Sequence, residues 1–181
     1  MPILETERLI LRDFVLSDWE ALNAFLSDPA VTRFMHFASW DEGQRRSWLA
    51  SLVQEASDPR RDAYNWALTL RNSGLLIGWL IIGTSRQASE EGTRECGYAL
   101  NRRFWGQGYI PEALRAAFTY EFTVRGTLRI IAECETENLA SARIMQKCGM
   151  EYEGTFYDAD FEGNRAHRHR YSITAQARET L

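Results

Sequence analysis

Apolar and polar positions alternate in several short segments of this chain, and stretches with helical spacing separate these segments. The strand-like pattern predicts seven strands, over residues 8–13, 64–70, 75–82, 94–100, 128–135, 150–157 and 166–174. Apolar positions three and four residues apart predict helices after Ser17, from Gln44 to Ala56, from Pro111 to Val124 and from Leu139 to Cys148. This order of elements predicts an α/β (α+β) fold, with one mixed sheet and helices on its faces.

Three shorter segments carry local signals. Ser17 and Glu20 have the spacing of a capping box, in which both side chains accept backbone N–H groups at a helix start. Gly149 is expected to end the helix that begins at Leu139, because glycine readily adopts the left-handed conformation found there. The stretch from Phe34 to Trp40 is aromatic but not periodic, and it is interpreted either as helix packing or as the mouth of a substrate site.

Length and composition narrow the class of protein. A chain of 181 residues, 45% of them hydrophobic, fits a single domain over residues 1–181. No apolar run approaches the roughly 20 residues that a membrane span needs. The first residues lack the regions of a signal peptide, so a cytoplasmic location is expected. A net charge of −4 argues against nucleic acid as the main partner.

The cysteines and histidines suggest no metal chemistry. Cys96, Cys134 and Cys148 have no paired spacing, and two of them lie in apolar segments, so they are interpreted as small buried thiols. The three histidines form no metal-ligand pattern, so no metal site is expected.

The segment before Pro111 is the most informative one. A predicted strand ends near Leu100, a loop with Gly106 and Gly108 follows, and Pro111 suits the first position of a helix because its missing N–H would be unpaired there. The amides just upstream therefore have no acceptor within the helix, and the positive end of the helix dipole favours an anion beside them. The glycines let the backbone approach a bulky anion, and Arg103 adds charge suited to phosphate.

Two phosphate-binding patterns are excluded here. Pro111 occupies the third glycine position of the dinucleotide pattern, and the chain contains no Gly-Lys-Ser/Thr of a P-loop. The sequence Arg103-Phe104-Trp105-Gly106-Gln107-Gly108 instead matches the Gln/Arg-x-x-Gly-x-Gly/Ala motif of the GNAT superfamily of N-acetyltransferases.

The resemblance to this family covers nearly the whole chain in the family's order. Within the family, the chain resembles the subgroup that acetylates the N-termini of ribosomal proteins. The segments that carry it are Thr6 to Arg12, Glu95 to Leu100, Trp105 to Ala113, Glu137 to Ser141 and Lys147 to Met150. The resemblance implies a GNAT fold, with about seven strands, helices on both faces, and parallel fourth and fifth strands that splay apart.

The same resemblance implies a binding site for acetyl-CoA, which is the expected cofactor. Backbone groups of the fourth strand would hold the pantetheine arm, the following loop the pyrophosphate, and the start of the helix after the fifth strand the pantetheine again. The implied cofactor-binding residues are Tyr98, Ala99 and Leu100 on the strand, Arg103, Trp105, Gly106, Gln107, Gly108, Tyr109 and Ile110 in and after the loop, and Asn138 and Lys147 at the second helix. Asn138 also suits a helix N-cap, and one residue can do both.

Acetyl transfer to an amine needs a neutral amine, and an amine with a pKa of about 8 to 10 is mostly protonated at neutral pH. A base, acting directly or through a water, should therefore help. The resemblance puts Glu95 beside the thioester, which makes it the candidate base; a solvated strand residue is the alternative interpretation. Glu133 and Glu135 on the next strand are lesser candidates.

The departing thiolate needs a proton. Many members of the family place a tyrosine for this purpose at the position held here by Met145, which cannot donate. The ribosomal-protein subgroup implies a serine three residues after the asparagine, so Ser141 is the candidate acid, with a polar residue of a first helical turn as the alternative.

The expected function is direct transfer of an acetyl group from acetyl-CoA to a primary amine, such as a protein N-terminus. Two alternatives stay open: a catalytically silent acyl-CoA-binding domain, and an enzyme for a small amine such as a polyamine or aminoglycoside. A homodimer is a common arrangement in the resembled group. Residues that contact the acceptor are expected in the early helices, in Phe34 to Trp40 and in the turn from Tyr157 to Asn164.

Overall fold

One sheet runs through the protein. The computed structural model describes residues 3–35, 39–84, 90–159 and 165–178. Within them the strands are β1 (Leu4–Glu5), β2 (Leu9–Arg12), β3 (Tyr64–Leu70), β4 (Leu76–Thr84), β5 (Thr93–Leu100), β6 (Arg129–Glu135), β7 (Glu151–Ala159) and β8 (Arg165–Thr174). They pair in the order β1-β2-β3-β4-β5-β6-β8-β7. Neighbours are antiparallel except β5 and β6, which are parallel.

All seven predicted strands are confirmed, with ends that differ by no more than two residues. The described residues add an eighth strand, β1, which pairs through Leu4 with Leu11 and through Glu5 with Ile10. Two residues are too few to show an alternating pattern, so the sequence could not indicate this strand.

The described residues also form six helices. The four predicted helices are confirmed, and two helices of four residues each, α2 and α6, were not predicted. The helices are α1 (Trp19–Leu26), α2 (Pro29–Thr32), α3 (Glu42–Ala56), α4 (Tyr109–Thr123), α5 (Leu139–Lys147) and α6 (Ala175–Arg178). Gly149 ends α5 as predicted: its φ is 79°, its N–H donates to Gln146, and the N–H of Met150 donates to Met145.

The predicted capping box at Ser17 is wrong. Residues Leu16–Asp18 form a 3-10 turn, and α1 begins only at Trp19. The Asp18 carboxylate accepts the N–H of Val15 at 2.9 Å and pairs with Arg12 at 2.7 Å. A charged acceptor with a cationic partner makes stronger hydrogen bonds than a serine hydroxyl, so Asp18 organises this turn.

The start of α4 also differs from the prediction. The helix begins at Tyr109 with Gly108 as its N-cap, so Pro111 is its third residue rather than its first. The first hydrogen bond of the helix runs from the N–H of Glu112 to the carbonyl of Gly108. Proline is tolerated at the third position for the same reason as at the first, because no residue of this turn has an acceptor within the helix.

Helices cover both faces of the sheet, as predicted. On one face α4 and α5 pack against β2 to β6 and β8 in a core that includes Leu80, Leu114, Phe118, Ile130 and Met145. On the other face α1 and α3 pack against β3, β4 and β5 in a core that includes Phe25, Leu49 and Trp79. Met35 and Trp40 pack against this second core, which favours the packing interpretation for these two residues; residues 36–38 lie outside the described part of the chain.

The two parallel strands pair only briefly. Thr93, Arg94 and Glu95 of β5 pair with Arg129, Ile130 and Ile131 of β6. Beyond this point β5 continues with β4 as far as Leu100, and β6 continues with β8 as far as Glu135. The strands therefore part after Glu95 and leave a gap in the sheet, which confirms the predicted splay.

Candidate active site

Backbone groups of β5 line one side of this gap. The N–H of Asn101, just after β5, donates to the carbonyl of Ile77 in β4 at 2.8 Å. Hydrogen-bonding direction alternates along an antiparallel strand, so the N–H groups of Leu100 and Tyr98 point away from β4 and into the gap. Ala99 directs its N–H to β4 by the same alternation. The backbone N–H groups of Tyr98 and Leu100 can therefore bind a ligand in the gap. The N–H of Ala99 faces β4 instead, and Ala99 lies between these two residues.

The loop between β5 and α4 is held by its own side chains. Residues Arg102–Phe104 form a 3-10 turn whose start is capped by the Asn101 side chain. The Trp105 indole Nε1 donates to the carbonyl of Leu100 at 2.8 Å, and the Gln107 amide donates to the carbonyl of Arg103 at 3.1 Å. Trp105 and Gln107 thus tie the loop to the strand end, and Arg102 and Arg103 stay exposed.

The two glycines of this loop adopt conformations that other residues avoid. Gly106 has φ 74° and Gly108 has φ 80°, both in the left-handed region. A Cβ at Gly106 would meet no atom within 4 Å, and one at Gly108 would meet the Arg8 side chain at 3.6 Å. The glycines therefore serve the backbone turn, with open space beside Gly106 and the Arg8 side chain beside Gly108. The helix α4 begins directly after Gly108 with Tyr109 and Ile110, and amides without an acceptor at a helix start suit an anion.

The start of α5 lies across the gap from β5. The Asn138 side chain accepts the N–H of Ser141 at 3.1 Å and caps the helix, as expected. The Ser141 hydroxyl lies 2.7 Å from the hydroxyl of Tyr98. Tyr98 belongs to β5 and Ser141 to the helix that follows β6, so this pair of hydroxyls bridges the two strands where they part. Lys147 lies exposed at the other end of the helix.

Two groups next to Ser141, the Tyr98 phenol and the Cys134 thiol, have raised pKa values. Burial raises the pKa of the Tyr98 phenol well above its usual value, although its hydrogen bond with Ser141 works in the opposite direction. Burial likewise raises the pKa of the Cys134 thiol to about 11, against a smaller lowering by Ser141. Ser141 therefore lies beside two groups that stay protonated and that release their protons less readily than usual. All three cysteines are free and buried, as predicted.

Met145 is fully buried in the core between α4, α5 and the sheet. The position that carries a tyrosine in many members of the resembled family is thus a packing position here. A proton donor at this helix must come from elsewhere, and the hydroxyls of Ser141 and Tyr98 are the groups that the fold brings together.

Glu95 lies on the opposite face of the sheet from Tyr98 and Ser141. Successive side chains of a strand point to opposite faces, and Ala99, which shares the parity of Glu95, packs with α1 and α3. Glu95 is half-buried and is the last residue of β5 that pairs with β6. The structure therefore does not bring Glu95 and Ser141 together, but puts them on the two sides of the same opening.

Glu133 and Glu135 lie on β6, two and four residues beyond the partner of Glu95, and share its face. Glu133 is almost completely buried and accepts a hydrogen bond from Arg170 at 2.6 Å. Arg170 therefore occupies the Oε1 oxygen of the Glu133 carboxylate.

Sequence reasoning missed two sets of residues at this site. The Tyr98 side chain was assigned no role, since its partner Ser141 lies 43 positions away and no local pattern connects them. The second set, which meets beside the glycine loop, is Thr6, Arg8 and Glu112. These residues lie in segments that resemble the family, but the resemblance assigned them no role. Residues 160–164 of the turn from Tyr157 to Asn164, where acceptor contacts are expected, lie outside the described part of the chain.

Two further observations concern the described residues as a whole. The longest helices, α3 and α4, have 15 residues, and no described helix is long and apolar enough to cross a membrane. No group of three potential metal ligands occurs among the described side chains.

The mixed sheet, whose parallel strands part beside a glycine loop and a helix start, has the arrangement that the resemblance to the acyl-CoA-dependent N-acetyltransferase class implies. Comparisons with known proteins support this class. Residues 8–151 match the acetyltransferase (GNAT) domain family. The uncharacterized N-acetyltransferase YnaD of Bacillus subtilis is 30% identical over 161 residues, which cover 89% of each chain.

Solved structures of acetyltransferases have the same fold as this chain. A GNAT-family acetyltransferase from Bacillus anthracis has a TM-score of 0.82 and 28% identity, over 97% of this chain and 99% of that chain. RimL, a ribosomal L7/L12 alpha-N-protein acetyltransferase crystallised with coenzyme A, has a TM-score of 0.79 and 20% identity, over 97% and 99% of the chains; this likeness bears on the fold alone. The chain belongs to the GNAT acetyltransferase family, whose members transfer acetyl groups from acetyl-CoA.

Proposed function

We propose that this protein transfers the acetyl group of acetyl-CoA directly to a primary amine, and that the amine is the N-terminus of a protein. Acetyl-CoA supplies the acetyl group as a thioester. The residues of the chain bind the two reactants, accept a proton from the amine and donate one to the departing thiolate.

The observation that carries the proposal is the hydroxyl pair of Tyr98 and Ser141 at the gap, 2.7 Å apart. Thiolate departure needs a proton donor that is protonated at neutral pH. Ser141 fulfils this requirement, and the partly buried phenol of Tyr98, whose pKa is raised, stays protonated beside it. In the proposed mechanism Ser141 donates the proton, and Asn138 holds the helix turn on which Ser141 lies.

The proposed base is Glu95, on the other face of the sheet. An ammonium group approaching this face meets Glu95, and Glu135 of β6 lies across the gap on the same face. A carboxylate in this place favours a cationic acceptor by charge attraction. Glu95 then takes a proton from the amine, directly or through a water. Both reactants are bound to the protein when the acetyl group moves from the thioester to the amine.

The proposed cofactor site follows the gap and the glycine loop. Backbone groups of Tyr98 and Leu100 hold the pantetheine arm beside Ala99, and Asn138 contacts it from α5. The amides at the start of α4 hold the pyrophosphate, with added charge from Arg103 and Lys147. The proposed pyrophosphate segment comprises Arg103, Trp105, Gly106, Gln107, Gly108, Tyr109 and Ile110.

The protein N-terminus is proposed from the resemblance of the Thr6 to Arg12 and Asn138 to Ser141 segments to the ribosomal-protein subgroup. A direct assay can test the acceptor class. The protein is mixed with acetyl-CoA and a panel of amines, and release of free thiol is followed. The panel contains peptides with free N-termini, the same peptides with blocked N-termini, a polyamine and an aminoglycoside.

We expect turnover with free but not with blocked peptides. Turnover restricted to the polyamine or aminoglycoside would contradict the proposed acceptor, but it would still support acetyltransferase activity. If coenzyme A binds in calorimetry but no amine raises thiol release above the hydrolysis background, the proposal fails in favour of an acyl-CoA-binding domain.

A further inference from the structure

Arg8, the residue before β2, reaches the glycine loop from a distant part of the chain. Its Nη1 donates to the carbonyl oxygen of Gln107 at 2.9 Å, and its Nε donates to the carboxylate of Glu112 at 2.6 Å. Its guanidinium also lies over the Tyr109 ring, 4.5 Å from the centroid. One planar side chain therefore contacts the loop, the first residue of α4 and the fourth residue of α4.

Glu112 holds Arg8 in this position. Its carboxylate accepts the Thr6 hydroxyl at 2.6 Å, the Arg8 N–H at 2.9 Å and the Arg8 Nε–H. Burial alone would raise the pKa of Glu112, but these hydrogen bonds and the charge of Arg8 outweigh it and lower the pKa. Thr6, Arg8 and Glu112 form a clasp, which we call the Arg8 clasp, between the start of the chain and the start of α4.

The geometry of the peptide bond gives this clasp a consequence. The carbonyl of Gln107 and the N–H of Gly108 belong to one planar trans peptide unit, so they point in opposite directions. When Arg8 binds the Gln107 carbonyl, the Gly108 N–H is directed to the other side of the loop. Gly108, with φ 80°, is less restricted than other residues, so the contact of Arg8 with the Gln107 carbonyl helps to fix the orientation of this amide.

We propose that Arg8 and Glu112 are positioning residues for the cofactor: the Arg8 clasp orients the amides at the start of α4 so that they can bind the pyrophosphate of coenzyme A. This inference rests on the proposed cofactor site. It assigns a role to the segment Thr6 to Arg8, for which the resemblance to the family implies none.

Charge and orientation make opposite predictions for Glu112. This carboxylate lies in the first turn of α4, so its negative charge opposes the binding of a nearby phosphate. If only charge mattered, Glu112→Gln would strengthen the binding of coenzyme A. If the clasp orients the amides, Glu112→Gln weakens it, because Arg8 loses its charged partner.

The test measures the dissociation constants of coenzyme A and of pantetheine, which lacks the pyrophosphate, by calorimetry. We expect Glu112→Gln and Arg8→Lys each to weaken the binding of coenzyme A about tenfold, the size expected for a lost hydrogen bond between charged groups. Lysine keeps the positive charge but cannot reproduce the planar fork. The affinity for pantetheine should stay within about twofold of the unmodified protein, a change within the scatter of such contacts.

Arg71→Met is the matched control. Arg71 also contacts the start of the chain, through the carbonyl of Thr6 at 2.9 Å and the carboxylate of Glu5 at 3.0 Å. Neither contact reaches the glycine loop, so this variant should bind coenzyme A normally. Thermal unfolding of every variant shows which ones are folded, and Arg8→Lys carries the test if Glu112→Gln is not.

Gly108→Val separates this inference from the proposed site on which it rests. If Gly108→Val leaves the affinity for coenzyme A unchanged, the pyrophosphate does not bind at this loop and both proposals fail. If Gly108→Val weakens binding but Arg8→Lys does not, or Glu112→Gln strengthens it, the clasp inference alone is overturned. Equal losses for coenzyme A and pantetheine would also overturn it.

Discussion

The two faces of the sheet at the gap between β5 and β6 differ in their chemistry. On the α4–α5 face the side chains are neutral and hydrogen-bonded to one another, with Tyr98 beside Ser141. On the α1–α3 face they are charged, with Glu95 at the end of the parallel pairing and Glu133 held by Arg170. Because neighbouring side chains of one strand point to opposite faces, the pleat of β5 puts the proposed proton donor and the proposed proton acceptor on different faces. The following predictions test this division of roles.

The largest effect is expected from Glu95→Gln. Loss of a positioned base costs about 10²–10⁴-fold in rate, so we expect kcat at neutral pH to fall by about 10²-fold. The loss should shrink as the pH rises toward the pKa of the acceptor amine, because the amine then needs no base. A pH profile of kcat with one peptide acceptor measures this. An equal loss at every pH would contradict the role of Glu95.

Ser141→Ala is expected to have a smaller effect on the same enzyme. The variant lacks the hydroxyl closest to the helix start, but Tyr98 keeps a protonated hydroxyl in the gap, so kcat should fall by about 10-fold to 100-fold. The affinity for coenzyme A should change little, since Asn138 still caps α5. Kinetic assays and calorimetry on the same preparation check both statements. A variant that loses affinity but keeps its kcat would indicate a binding role instead.

Tyr98→Phe should have the smallest effect of the three. It removes one partner of the Ser141 hydroxyl and leaves the ring in the core, so we expect about a fivefold loss of kcat, in line with one neutral hydrogen bond. Tyr152→Phe is a suitable control, because the Tyr152 hydroxyl bonds Thr155 on β7, away from Ser141. Equal losses in the two variants would show that Tyr98 has no special relation to Ser141.

Much of the fold could be predicted from the sequence, for local reasons. Seven strands carry period-two or continuous apolar patterns, and Gly149 stops α5 through its backbone conformation alone. The start of α1 could not be predicted correctly, because Asp18 outcompetes Ser17 through its pairing with Arg12. That pairing depends on how β2 and the turn pack together, which no local pattern encodes.

The candidate site divides in the same way. The glycine loop and the Asn138 cap are local in sequence, and both have the expected geometry. The contacts of Arg8 with Glu112 join residues 104 positions apart, and those of Tyr98 with Ser141 join residues 43 positions apart. Contacts of this kind exist only once the sheet has formed, so they lay beyond sequence reasoning.

The most direct test of the divided site varies the acceptor and the donor in one experiment. The rates of Glu95→Gln and Ser141→Ala are measured with amines of different pKa and with thioesters whose thiols differ in pKa. We predict that the loss in Glu95→Gln depends on the pKa of the amine and not on that of the thiol, and that the loss in Ser141→Ala shows the reverse dependence. If both variants respond to the same reactant, the two faces do not have separate roles and the account is contradicted.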